Sequence, residues 1–248
     1  MLVIILIICL LVQRFLKFSS ASYQVDWVTP FYNFCFQRFY SQMTALPVLG
    51  FLLLLLPPLL LMIIIFNLVE HLVGDLGYWI LVLAWCWYCL DVMDLSKYES
   101  DPDSIKGISK AYFHRVFAVS FWFLIGPLWL VLYIIVYELS RLAESQDEPS
   151  RVFAINEQLL QLMRWIPVRL FGLSMAFVSH FTQLMKLWLA SLTAPLSETT
   201  NLVVKFSDSA MTAVSEPASS TGRLQMLNEY TLLVWLVVAA ILRIALLL

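Results

Sequence analysis

Residues 45–69 read ALPVLGFLLLLLPPLLLMIIIFNLV, and this run decides the fold class. It is almost purely aliphatic, and no charge occurs between Arg38 and Glu70. A helix needs about 20 apolar residues to cross a hydrocarbon core of about 30 Å, so the run is predicted to be a membrane-crossing helix. Pro57 and Pro58 lie in its middle. Neighbouring helices can satisfy the carbonyls that prolines free, so a kink is expected and not a break.

Three further charge-poor runs lie outward from it. Leu76–Leu90 is short and rich in Trp and Tyr, and crosses only if it carries Asp91 to the interface. Val116–Tyr137 is bracketed by Arg115 and Glu138 and is uncharged throughout. Tyr230–Leu248 ends the chain, with Arg243 close enough to the end to snorkel. Met1–Val12 is apolar but short, with Arg14 and Lys17 behind it and no basic residue ahead. That order suits a retained helix better than a secretory signal.

The expected fold class is therefore all-α: a polytopic membrane protein with four to six hydrophobic helices and one amphipathic helix. Composition agrees. Of 248 residues 61% are hydrophobic and 13% charged, about half the charged share of a soluble domain. Mean hydropathy is +0.85. The net charge of −2 lacks the basic excess of a nucleic-acid binder, so the expected partner is the lipid bilayer. Lys/Arg asymmetry orients the chain. Segment 13–44 holds Arg14, Lys17 and Arg38, and loop 91–115 holds Lys97, Lys106, Lys110 and Arg115, whereas the link 67–76 holds none. The first two are expected to face the cytoplasm, and Glu70, His71 and Asp75 the outside.

Beyond Glu138 the pattern changes. Asp147-Glu148-Pro149-Ser150 is a turn cluster that can start a helix. Val152, Ile155, Leu159, Leu162, Met163 and Ile166 then recur at helical spacing, with Glu157, Gln158, Gln161 and Arg164 opposite. This predicts an amphipathic helix for a membrane surface or a partner helix, ended or kinked at Pro167. A second helix is expected over Arg169–Leu192, too short in charge-free length for an upright span and so buried or re-entrant. Arg169, Gly172, Ala176, His180 and Gln183 share one stripe, which should face other helices. Residues 193–221 are rich in Ser, Thr, Ala and Pro; they read as a polar extramembrane connection, with Asn201–Phe206 a short element within it.

Two stretches carry a family signature. "QLLQLMRWIPVRLFGLSMAFVSHF" at 158–181, followed by "LWLASL" at 187–192, and "HRVFAVSFWFLIGPLWLVLY" at 114–133 closely resemble the AmpE proteins of bacterial inner membranes. The specific match covers roughly 112–192. The resemblance implies one membrane-embedded domain over 1–248, with N-terminal helices 1–95, a family core 112–192, a polar connection 193–229 and a C-terminal membrane helix 230–248. It implies a multi-pass protein of the bacterial inner membrane. Its role would be that of a signalling modulator linking cell-wall recycling to β-lactamase induction, and so to antibiotic resistance. AmpE proteins resemble in turn the adenosylcobinamide-phosphate synthases of cobalamin assembly, where a Pro-Ala-Arg-Leu element stands in place of Pro167-Val168-Arg169-Leu170. That wider resemblance implies the alternative, an ATP-dependent amide-forming enzyme using Mg²⁺ and ATP. Under the leading reading no cofactor is expected, and the partner is a cell-wall-derived ligand or another membrane protein.

Candidate chemistry is sparse. An arginine in an apolar helix is a functional-site hypothesis by default, and its planar fork suits a carboxylate or phosphate. Arg169 and His180 therefore form the leading ligand-binding pair, with Glu157 or Asp91 as protein-side partners for the arginine. Arg115 is a topology anchor that can also contact a ligand. Asp91, Asp94, Glu99, Asp101 and Asp103 are five acids in a short loop. Carboxylates with a phosphate can hold Mg²⁺, but no Gly-rich phosphate loop accompanies them, and charge runs usually just face water. Cys86-Trp87-Tyr88-Cys89 has the CxxC spacing of redox and metal sites, yet it lies in an apolar helix and reads as packing cysteines. Glu70, His71 and Asp75 lack the second His of a zinc-protease helix. No nucleophile elbow or dinucleotide fingerprint appears.

Overall fold

A computed structural model describes residues 1–16, 30–35, 38, 46–90, 104–146, 151–212 and 220–245. Every element among them is helical. The main α-helices in chain order are α1 (Leu2–Leu16), α2 (Pro47–Val73), α3 (Asp75–Cys89), α4 (Ser104–Tyr112), α5 (Ala118–Ile125), α6 (Pro127–Gln146), α7 (Arg151–Val178), α8 (Phe181–Leu192), α9 (Thr199–Thr212) and α10 (Ser220–Ala245). A π-helical turn, Phe113–Phe117, joins α4 to α5. The helix α7 is the hub and packs against α2, α6, α8, α9 and α10.

Among the described residues two helices are long and apolar enough to cross a membrane, Pro47–Val73 and Gly222–Ala245. That is fewer than the four to six expected. The α2 helix runs unbroken through Pro57 and Pro58, as expected for a proline pair flanked by other helices. It stops at Gly74, whose φ of 77° only glycine adopts without cost, and α3 starts one residue later. That helix has 15 residues, too few to span upright.

The expected span Val116–Tyr137 is not one helix. It divides at Gly126, which is in extended backbone (φ 166°, ψ 153°) ahead of Pro127. A residue before proline is pushed out of the α region, and glycine has no helical preference to resist it. The chain then turns back on itself. Trp122 meets Trp129 at 5.8 Å and Tyr133 at 6.5 Å between ring centroids, and His114 meets Tyr137 at 5.2 Å. These contacts climb one arm as they descend the other, so α5 and α6 are antiparallel.

The second stretch departs from expectation in the same manner. Pro167 does not end a helix: α7 continues through it to Val178. The break comes at Ser179–His180, and α8 returns antiparallel, with Ser191 beside Arg169. The stretch 193–229 is also more than a connection. Leu202, Val203, Phe206 and Ala210 on α9 are buried, and Gly172 makes room for them. A Cβ at 172 would stand 2.5 Å from the Phe206 ring.

The amphipathic helix follows its sequence reading only in part: Val152 and Met163 of the apolar stripe are buried. Leu162 and Ile166 are exposed, whereas Asn156 and Arg164 are buried. In water an apolar stripe turns inward. In lipid, polar side chains turn inward to find partners and leucines face the acyl chains. The exposed Leu52, Leu56, Leu60 and Ile64 along α2, and Leu233, Val237 and Ile241 along α10, follow the same rule.

Candidate functional site

Arg169 is the strongest of the expected site residues, and its surroundings are now defined. It lies on α7 one turn after Trp165, with 5% of its surface exposed. Nη2 donates to the Ser191 carbonyl at 2.6 Å and Nη1 to the Trp165 carbonyl at 3.0 Å. The guanidinium stacks over the Trp165 ring, 4.0 Å from its centroid, a cation–π contact. In return the Trp188 indole donates to the Arg169 carbonyl at 2.8 Å. Arg169 thus clasps α8 to α7. Every one of these partners is neutral. Nε has no hydrogen-bond partner, and among the described residues no carboxylate pairs with this charge.

Glu157, the protein-side partner expected for Arg169, belongs to a different group. Its carboxylate lies 3.6 Å from the Arg164 guanidinium and accepts from Ser140 Oγ at 2.8 Å and from Gln161 at 3.3 Å. Arg164 also donates to Thr200 Oγ1 at 3.3 Å and is 7% exposed. From there the network reaches the Tyr133 hydroxyl, which Arg164 contacts, and His114 Nδ1, 3.2 Å from that hydroxyl. Arg115 is in contact with the Tyr137 hydroxyl. Burial, reinforced by the charges of Arg164, Lys110 and Arg115, holds the His114 pKa well below its ordinary value. The imidazole is therefore neutral and passes hydrogen bonds rather than charge.

Sequence reasoning missed this network. Arg164 falls on the polar side of the expected amphipathic helix, Tyr133 lies inside the uncharged run Val116–Tyr137, and His114 stands out only within the family signature. The signal that finds them is the pairing of polar residues across two apolar helices, which a single helix cannot reveal.

The structure does not bring His180 to Arg169. His180 is exposed at the turn between α7 and α8, where its carbonyl accepts from Leu184 N, at the far end of the hairpin from Arg169 and Ser191. Arg169 and His180 on the expected stripe are about 16 Å apart along a helix at 1.5 Å per residue, and with the helix ending at Val178, His180 falls in the turn. Gly172 and Ala176 are buried as expected. Arg115 is half-buried at the mouth of the α5–α6 hairpin. Asp91, Asp94, Asp101 and Asp103 lie outside the described residues. Among the described residues no group of three or more His, Cys, Asp or Glu side chains could hold a metal. Glu70, His71 and Asp75 are exposed around the Gly74 turn. Cys86 and Cys89 are free and buried, and Cys9 lies in contact with Cys86.

A groove of about 840 Å³ runs between α1 and α10. Its walls are apolar (Leu10, Leu11, Leu232, Leu236), and Arg14 forms an ion pair with Glu229 at one end.

Residues 103–247 match the family of the regulatory signalling modulator protein AmpE. The chain belongs to the AmpE family. The match takes in the π-turn, both helical hairpins, α9 and α10, and so extends past the core in which the resemblance was first legible. No curated protein and no solved structure matches the chain. AmpE membership makes the protein a regulatory signalling modulator.

Proposed function

We propose that this AmpE protein is a noncatalytic, multi-pass modulator of the bacterial inner membrane. In this reading it links cell-wall recycling to β-lactamase induction, and it acts by binding an anionic ligand or a membrane partner at the Arg169 corner. The observation that carries the reading is a buried guanidinium whose described partners are all neutral. Taking a charge out of water costs several kcal/mol, on the order of 3–5 when its partner is missing, and backbone carbonyls with one indole face offset only part of that. The unpartnered Nε is the donor left for an incoming carboxylate or phosphate. Arginine suits such a group because its fork can bind two oxygens at once.

The test separates insertion from signalling. Arg169→Lys keeps the charge and loses the fork, so the variant should insert, fold and show impaired β-lactamase induction in cells deleted for the native gene. Arg169→Ala should be at least as impaired. Normal induction by both variants at normal membrane levels would make Arg169 a structural clasp alone.

A further inference from the structure

The stretch RVFAVSFWFL at 115–124 and the stretch RLFGLSMAFV at 169–178 share Arg, Phe, Ser and Phe at matching positions. Most other positions exchange one small or aliphatic residue for another. The offset of 54 positions holds without a gap through everything that follows. The break is Gly126 in one and Ser179–His180 in the other, and the return helices start at Pro127 and Phe181. Leu130 and Leu184 are both fully buried. Arg115 contacts Tyr137, and Arg169 donates to Ser191, in each case 22 residues on. The matching rings Phe117 and Phe171 pack edge-on at 5.1 Å. Residues 115–137 and 169–191 are alike in sequence over the first arm and in fold throughout, as two copies of one arginine-clasped hairpin would be.

From the first copy we infer that residues 115–138 form a re-entrant membrane hairpin, which enters and leaves the bilayer on one face with its Ile125–Trp129 tip among the acyl chains of one leaflet. This goes beyond the signalling reading and does not depend on it. Each arm, from Arg115 to the turn and back to Glu138, is about 16 Å at 1.5 Å per residue, against a hydrocarbon core of about 30 Å. The charges that bracket the uncharged run stand together at the mouth, since His114 and Tyr137 are in ring contact there. The tip exposes Ile125 at 49%, Leu128 at 42% and Trp129 at 50%. The α6 arm packs on α2, which is long and apolar enough to cross the membrane and is itself clad in exposed leucines. The turn satisfies part of its backbone within the chain, with Gly126 N bonded to Trp122 O and Leu130 N to Gly126 O, and Pro127 has no N–H to satisfy.

Variants of the full chain that each add one cysteine, in native membrane vesicles, test this, with the wild-type protein as the blank because its described cysteines are buried. Lys106→Cys and Arg141→Cys flank the mouth and should react with an impermeant maleimide from the same face. Ile125→Cys and Leu128→Cys should show loss of labelling from both faces. A bimane on Leu128→Cys should be quenched by lipids carrying a nitroxide partway down the acyl chain. Labelling of 106 and 141 from opposite faces would overturn the hairpin and restore a span. Labelling of 125 or 128 from water, or protection there without lipid quenching, would overturn the lipid-facing tip and point to a protein occupant.

Discussion

The two hairpins share a clasp and differ at the tip. In the first, the exposed tip side chains are Ile125, Leu128 and Trp129. In the second, Phe177 and Phe181 are joined by exposed His180, Thr182, Gln183 and Lys186. The clasp sits where each arm begins, so it fixes how the arms pair whatever lies beyond. The tip is free to be rewritten for its surroundings: hydrocarbon for the first copy, and polar groups that need water or headgroups for the second. The arginines have diverged as well. Arg169 is nearly buried and gives two hydrogen bonds to backbone carbonyls, whereas Arg115 is half-exposed and reaches a phenol.

The largest effect is expected at the matching pair Ala118 and Gly172. Gly172→Val drives two methyl groups into the seated Phe206 ring and should cost about 3 kcal/mol, at the upper end for overpacking. The converse change in the other copy, Ala118→Gly, should cost only about 1 kcal/mol through helix propensity. Thermal unfolding in detergent measures both. Equal costs would mean that α9 is not seated on Gly172.

The arginine pair comes next. Arg169→Ala removes two charge-assisted hydrogen bonds in a buried setting and should destabilise by about 2–3 kcal/mol. Arg115→Ala should cost about 1 kcal/mol or less, because solvent screens a half-exposed guanidinium. A larger loss at Arg115 would reverse the comparison.

Much of this was legible in the chain, for identifiable reasons. The all-helical class, α2 and α10 follow from long uncharged runs, which the physics of the bilayer makes unambiguous. The hairpins do not follow. An uncharged stretch bracketed by Arg115 and Glu138 has the length of a span, and only antiparallel contacts such as Trp122 with Tyr133 distinguish a fold-back. Pro57-Pro58 and Gly126-Pro127 look alike as interruptions, yet one lies inside a continuous helix and the other opens a turn. Arg169 stands out as a charge in an apolar helix, but carbonyls are invisible in a list of side chains, so Ser191 could not be named as its partner. Arg164 reads as outward-facing and is buried, because helical periodicity alone does not say whether the surroundings are water or lipid.

The smallest effect is a pH dependence tied to the first copy alone, since Val168 occupies the position that matches His114. With the His114 pKa held well below that of the unfolded chain, the unfolded state takes up a proton below about pH 6.5 that the fold refuses. Stability should therefore fall as pH drops from 7.5 to 5.5, and His114→Gln should lessen that fall. An unchanged pH slope in the variant would mean that His114 protonates without cost.

The hairpin itself is tested most directly by a spin-label distance between Lys106→Cys and Arg141→Cys in lipid nanodiscs. If residues 104–146 formed one straight helix, the labelled positions would stand about 50 Å apart at 1.5 Å per residue. Packed antiparallel arms have axes about 8–10 Å apart, so the account predicts a single short distance, on the order of 20 Å with the labels included. A distribution centred near 50 Å would contradict it.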